Sequence, residues 1–203
     1  MSKILDLYSQ LLNDRERFTD EVFYDEIYKQ VCPRLTVVDI GAYQGEFGFY
    51  CLPFASKIYA IEPDPLPYTK LVETIIQFEL EDKMFPFPIA ISGENKERDF
   101  YASGFGGSSL INIADNPQNI IKVRTLSLNS FLEENNIDHV DILKIDCESS
   151  ESEIFIATDI DKALSEVDLI IGEDHGYKNI IKDVLERNKF TVNFDKPGFF
   201  ARR

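Results

Sequence analysis

Four groups of residues in this chain have the types and spacing to do chemistry. Asp39, Gly41, Ala42, Tyr43 and Gly45 lie in TVVDIGAYQGEF, where a β-branched run stops at Asp39 and breaks into two glycines. That pattern predicts a buried strand turning sharply into a helix whose N-terminal N–H groups face a ligand. Glu62 closes a second apolar run, KIYAIE. It follows the first glycine by about 20 residues, the offset at which doubly wound nucleotide-binding folds place a carboxylate on a ribose hydroxyl. Asp146 and Glu148 follow the apolar run DILKI, so alternation puts them on one side at the end of a strand. Two acids side by side raise one another's pKa and leave one as a base near neutral pH. Lys144, one step earlier on the same face, either pairs with them or only completes the strand. Glu173, Asp174 and His175 end the run LIIGEDH and could bind an acceptor, supply a base, or hold a divalent ion with Asp146. Spacing alone shows no metal site, and none is expected.

The glycine turn narrows the ligand. A dinucleotide site of the GxGxxG type needs its second glycine where the backbone meets a pyrophosphate. Here Tyr43 stands at that place and would crowd a diphosphate, whereas a nucleoside without phosphate needs less clearance. S-adenosylmethionine is such a nucleoside, and carboxylates at Asp39, Glu62 and Asp146 would attract its sulfonium. Plainer roles fit the same residues. Gly41 and Gly45 could merely punctuate a tight turn, Glu62 could be a solvated strand end, and Asp146 could cap the next helix.

These groups need strands to carry them. Strand patterns cover residues 36–40, 57–61, 85–91, 141–145, 168–172 and 190–194, with a last one near 199–202. Helical patterns cover 45–51, 66–80, 127–135, 151–164 and 177–188. Asp64 before Pro65 is a helix start, a capping side chain followed by a ring in the first turn. The alternation predicts an α/β fold with a mainly parallel sheet. Between about 92 and 126 it fails, and DFYA and IIKVR predict an irregular β insertion around GFGGSSL. In that loop Gly104, Gly106 and Gly107 could hinge a lid carrying Ser108 and Ser109, or form an ordinary flexible turn. Glu151 and Glu153 read as the solvated first turn of a helix. Residues 3–31 read as two helices, with Ile4, Tyr8, Leu11 and Leu12 and then Val22, Phe23, Ile27 and Val31 at helical spacing before Pro33. They would pack on the core edge, or serve as a lid or a homodimer contact. The expected division is therefore a helical extension over 1–33 and one domain over 34–203.

Composition bounds the rest. A chain of 203 residues, 44% hydrophobic, buries one sizeable core. Acidic residues outnumber basic ones 36 to 21, giving a net charge of −15, which disfavours bulk nucleic acid and anionic membrane surfaces. Three cysteines, Cys32, Cys51 and Cys147, form no CxxC pair. They fit a reducing compartment, and with no signal-peptide pattern or membrane-length apolar run a cytoplasmic location is expected.

VVDIGAYQGEFGFY, IYAIEPDP, PIAIS, GGSSL and VDILKIDCESSESEIF, in that order, resemble the FkbM family of methyltransferases. Members of that family carry a DxGAxxG turn, an IEP strand end and a KxDxEGxE signature. The resemblance implies a class I methyltransferase fold, a Rossmann-like, mainly parallel seven-stranded sheet with flanking helices. It implies S-adenosylmethionine as cofactor, held by Asp39, Gly41, Ala42, Tyr43, Gly45, Glu62, Pro63, Ala90, Ser108 and Asp146. It also implies O-methylation of a hydroxyl on a sugar, glycan or secondary metabolite, for which the strand-end residues Asp146, Glu148, Glu173 and His175 are the candidate catalytic group. Two positions depart from the family pattern. Ser149 stands where the signature has glycine, and Ser127 ends a TLS where TLD is common. If the glycine supplies a positive φ, Ser149 carries conformational strain. The competing readings are a catalytically silent S-adenosylmethionine-binding partner and a nucleotide-sugar- or NAD-binding Rossmann protein.

Overall fold

Apolar runs that are buried on both faces need helices above and below them, and the strands of this chain obtain both. The computed structural model describes residues 35–104, 107–112, 119–195 and 198–203. The helices expected over 3–31 lie outside the described residues, as does Gly106. In chain order the elements are β1 (Leu35–Ile40), α1 (Glu46–Cys51), β2 (Ala55–Ile61), α2 (Pro65–Gln77), β3 (Met84–Phe87), β4 (Ala90–Ile91), β5 (Lys96–Ala102) and β6 (Asn119–Leu126). They continue as α3 (Leu128–Glu134), β7 (Val140–Ile145), α4 (Glu151–Phe155), α5 (Ile160–Ser165), β8 (Val167–Glu173), α6 (Lys178–Arg187), β9 (Thr191–Asp195) and β10 (Gly198–Arg202).

Seven strands form one sheet in the order β3-β2-β1-β7-β8-β10-β9, and only β10 runs antiparallel to its neighbours. Alternation along each strand splits the core in two. Val37, Ile58, Ala60, Ile142, Leu169 and Ile171 pack under α1 and α2. Val38, Ile40, Tyr59, Ile61, Leu143, Ile145 and Ile170 pack with α3, α4, α5 and α6. The expected mainly parallel sheet is thus present. The β insertion between 92 and 126 is also present, as a three-stranded sheet in the order β4-β6-β5.

Two expected elements divide. The run 85–91 becomes β3 on the large sheet and β4 on the small one. Pro88, with no N–H to give to a ladder, stands between them. The helix expected over 151–164 becomes α4 and α5, parted by a turn in which the Asp159 carboxylate accepts a bond from Ser127 Oγ at 2.5 Å. No helix among the described residues is long and apolar enough to cross a membrane.

Ser127, where the resemblance implies aspartate, makes two bonds at this turn. Its hydroxyl caps α3 by accepting from Ser130 N at 3.1 Å while donating to Asp159, two roles that a charged carboxylate would not combine. Ser127→Ala should lose about 1 to 2 kcal/mol of stability, read as a shift in urea midpoint with an unchanged slope.

Candidate active site

The neighbouring strands β1 and β7 send their chains to opposite sides, β1 toward β2 and β7 toward β8, and a crevice opens beyond their carboxyl ends. The two strand ends nearly touch. A Cβ built on Gly41, whose φ is +75°, would lie 1.8 Å from the carbonyl oxygen of Asp146. The turn then folds toward β2: Gly41 N and Ala42 N both donate to Ile61 O, at 3.0 and 2.9 Å. Tyr43, at φ +52°, aims its N–H at Glu62 Oε2, 2.8 Å away. Asp64 N donates to the other oxygen of Glu62 at 2.7 Å. Glu62 is 6% exposed, and burial lifts its pKa to about 7 against the opposing pull of these two N–H groups.

Lys144 joins the two strand ends electrostatically. Its ammonium, 7% exposed, donates to Gly41 O at 2.7 Å and lies 3.4 Å from both Asp39 Oδ1 and Asp146 Oδ2. Burial opposes its charge, but the carboxylates of Asp146 and Asp39 outweigh that penalty and hold it protonated. Asp39 is fully buried, which raises its pKa despite Lys144. Of the two roles open to Lys144, pairing is the one found.

Beyond β7 the chain makes a strained turn. Glu148 and Ser149 have φ of +53° and +76°, so the serine in the family's glycine position does occupy the left-handed region. Glu151 is not solvated as expected but wholly buried: its Oε1 accepts from Cys147 N at 2.9 Å and lies 3.1 Å from His175 Nδ1. His175 Nε2 stands 3.6 Å from carboxylate oxygens of both Glu148 and Glu173. The bond to Glu151, then the charges of Glu151, Glu148 and Asp146, overcome burial and lift His175 to about 9. A proton held on His175 at neutral pH weighs against the expected role of that residue as a proton acceptor.

A cavity of about 380 Å³ fills the crevice, within the range of small-molecule sites. Gly41, Ala42, Tyr43, Glu62, Pro63, Ala90, Ser108, Asp146, Glu148 and Glu173 line it. Asp39, Gly45 and His175 do not. Asp39 lies behind the wall and acts through Lys144. Gly45 makes room for helix packing, since a Cβ there would meet Leu71 at 2.5 Å. His175 sits behind Glu148 and Glu173. The wall also contains residues that the sequence did not single out: Ile91, Phe100 and Leu110 from the insertion, and Phe47 and Tyr50 from α1. Their only local signal was apolarity, which the core shares. The candidate ion ligands Asp146, Glu148 and His175 lie close enough together to hold a metal, with a protonated imidazole already among them.

The profile described as the methyltransferase FkbM domain matches residues 39–199. The chain belongs to the FkbM methyltransferase family. Among solved structures it is similar to the methyltransferase FkbM from Methylobacillus flagellatus, with TM-score 0.59 and 13% identity over 84% of this chain and 44% of that one. It is also similar to a precorrin-8w decarboxylase from Methanobacterium thermoautotrophicum, with TM-score 0.53 and 12% identity over 91% and 90%. These likenesses show the fold. A curated relative, the AMB antimetabolite synthetase AmbE of Pseudomonas aeruginosa, is 24% identical over 90% of this chain. The chain spans only 11% of that protein's length, and less than half of the Methylobacillus methyltransferase.

S-adenosylmethionine is the cofactor that membership of this family indicates, and the wall suits it. Each Glu62 oxygen receives one N–H and retains a lone pair for a ribose hydroxyl. Ile91, Phe100 and Leu110 offer an apolar surface to a base, and Asp146 a negative charge to a sulfonium.

The electrostatics predict a pH dependence for the protein without cofactor. Glu62 binds its proton more tightly when folded, so the folded state holds extra protons between about pH 4.5 and 7 and stability falls as pH rises through that window. His175 contributes stability below about pH 6.5 that is lost as pH rises toward 9. The melting temperature should therefore decline from pH 5 to pH 9, and His175→Asn should flatten the upper part of that decline.

Proposed function

We propose that this protein transfers a methyl group from S-adenosylmethionine to a hydroxyl of a sugar, glycan or secondary metabolite, with the catalytic unit in residues 34–203. The observation that supports this most is the cavity at the switch point. It places a buried ribose-type carboxylate, Glu62, on one side and Asp146, Glu148 and Glu173 on the other. The likeness to part of an antimetabolite synthetase supports the secondary-metabolite class.

When bound, the cofactor supplies an electrophilic methyl group on a cationic sulfur. Glu62 would accept the ribose hydroxyls, and the apolar wall from the insertion would shield the base. Asp146, fixed beside Lys144, would face the positive charge. A hydroxyl attacks well only as its proton leaves. Asp146 is already engaged by the buried Lys144 ammonium, 3.4 Å away. Glu148 lines the cavity and, among the described residues, pairs with His175 rather than with a lysine; burial and the charge of Asp146 raise its pKa, outweighing the lowering by the His175 charge. Glu148 is therefore the better proton acceptor, with Glu173 beside it to orient the substrate. The turn at Ser149 is formed despite the missing glycine, so the serine gives no support to a silent protein.

Calorimetry should show S-adenosylmethionine binding, and Glu62→Ala should weaken it by about 1.5 to 3 kcal/mol through loss of a charge-assisted contact. A flat titration of the wild-type protein contradicts the reading. With an acceptor found by screening hydroxylated metabolites and glycans against methyl-labelled S-adenosylmethionine, Glu148→Gln should slow turnover by about 10²- to 10⁴-fold and leave cofactor affinity in place. Unchanged turnover would remove Glu148 from proton transfer.

A further inference from the structure

Two consecutive serines bridge the two sides of the cavity. They lie between β5 and β6 on a segment pinned to Tyr101, whose N–H donates to Ser109 O at 2.9 Å. Ser108 Oγ donates to Asp64 Oδ2 at 2.6 Å, an oxygen that also receives Gly104 N at 2.9 Å. The other Asp64 oxygen caps α2 through Leu66 N at 3.0 Å, and Asp64 N is one of the two donors that orient Glu62. Ser108 is thus one residue removed from the ribose-type carboxylate.

Ser109 faces the opposite way. It is 1% exposed, and its hydroxyl donates to the carbonyl oxygen of Glu148 at 2.5 Å while accepting from Ile111 N at 3.0 Å. That carbonyl belongs to the first of two successive non-glycine residues in the left-handed region. Side chains adopt that conformation at a cost of about 1 kcal/mol or more each, and they stay there only when neighbours hold them. Ser109 supplies such a hold on the turn that aims Glu148 at the cavity.

We infer that Ser109 is a positioning residue for Glu148, and that Ser108 and Ser109 together couple occupation of the donor side to the geometry of the acceptor side. The inference rests on the donor-site and Glu148 readings given under Proposed function. A ligand that takes the free lone pairs of Glu62 restrains Asp64 through its N–H, Asp64 restrains Ser108, and the adjoining Ser109 restrains the Glu148–Ser149 turn. Coupling of this kind passes through loss of motion as readily as through displacement, and it acts equally in both directions.

The test needs no methyl acceptor. Hydrogen–deuterium exchange by mass spectrometry would follow the peptide that contains Asp146 to Ser150 with and without saturating S-adenosylmethionine, occupancy being checked by calorimetry for each protein. The wild-type turn should exchange several-fold more slowly with ligand. In Ser109→Ala that protection should vanish although the ligand is bound, and a merely structural serine would lower the melting temperature without abolishing ligand-dependent protection. Ser108→Ala leaves the turn's own bond in place and serves if Ser109→Ala does not fold. It should weaken binding by about two- to tenfold and also lose the protection. Protection retained in both variants, or absent from the liganded wild type, overturns the inference alone. Failure of the wild type to bind S-adenosylmethionine overturns the donor-site reading and the inference with it.

Discussion

The site depends on how closely β1 and β7 approach at their carboxyl ends. No side chain fits between Gly41 and the Asp146 carbonyl, so glycine there is a requirement of contact as well as of its φ of +75°. The same approach brings the Gly41 carbonyl and two carboxylates around one buried ammonium, that of Lys144. Breaking such a group by removing one partner leaves an uncompensated buried charge, which is strongly destabilising. Lys144, Asp39 and Asp146 therefore act as one unit that registers the turn after β1 against the turn after β7.

Charge is then divided among the remaining acids according to their partners. Asp146 is committed to Lys144, and Glu151 to His175 and Cys147 N. Glu62 is tied to two backbone N–H groups. Glu148, lifted by burial and by Asp146, retains the capacity to take up a proton at the cavity wall. Two carboxylates that stood together in the sequence, Asp146 and Glu148, thereby meet different surroundings, one beside a buried ammonium and one at the cavity wall.

The fold was largely legible because its signals are local. β-branched runs, the Asp64–Pro65 helix start and the alternation of strand and helix patterns are properties of neighbouring residues, and they led to the parallel sheet and to the insertion. The grouping of the glycine turn with Glu62 at one cavity wall was legible for the same reason: a glycine turn and an acid at successive strand ends need no distant partner to be noticed. The surroundings of Glu148 and His175 were not. Glu151 sits in the first turn of a helix, where a glutamate is ordinarily solvated, and only His175, 24 residues later, reveals why it is buried. His175 was read as a base because the sequence shows only Glu173 beside it, whereas Glu148 and Glu151, which also face its ring, lie more than twenty residues earlier. Asp39 looked like a ligand contact because it ends the motif, yet strand alternation turns it to Lys144. The apolar wall formed by Phe100 and Leu110 is indistinguishable from core by pattern. Pro88 and the polar turn at Asp159 were visible as residues, but their effect on strand and helix continuity depended on which sheet or cap they met.

The most direct test of the central claim is a crystal structure of the protein soaked with S-adenosylhomocysteine, the demethylated form of the cofactor. The account predicts the ribose hydroxyls within about 3.2 Å of the Glu62 carboxylate. The base should lie against Ile91, Phe100 and Leu110, and the sulfur on the side of Asp146. A nucleoside bound elsewhere, or one whose ribose leaves Glu62 with only the Tyr43 and Asp64 N–H bonds, would contradict it.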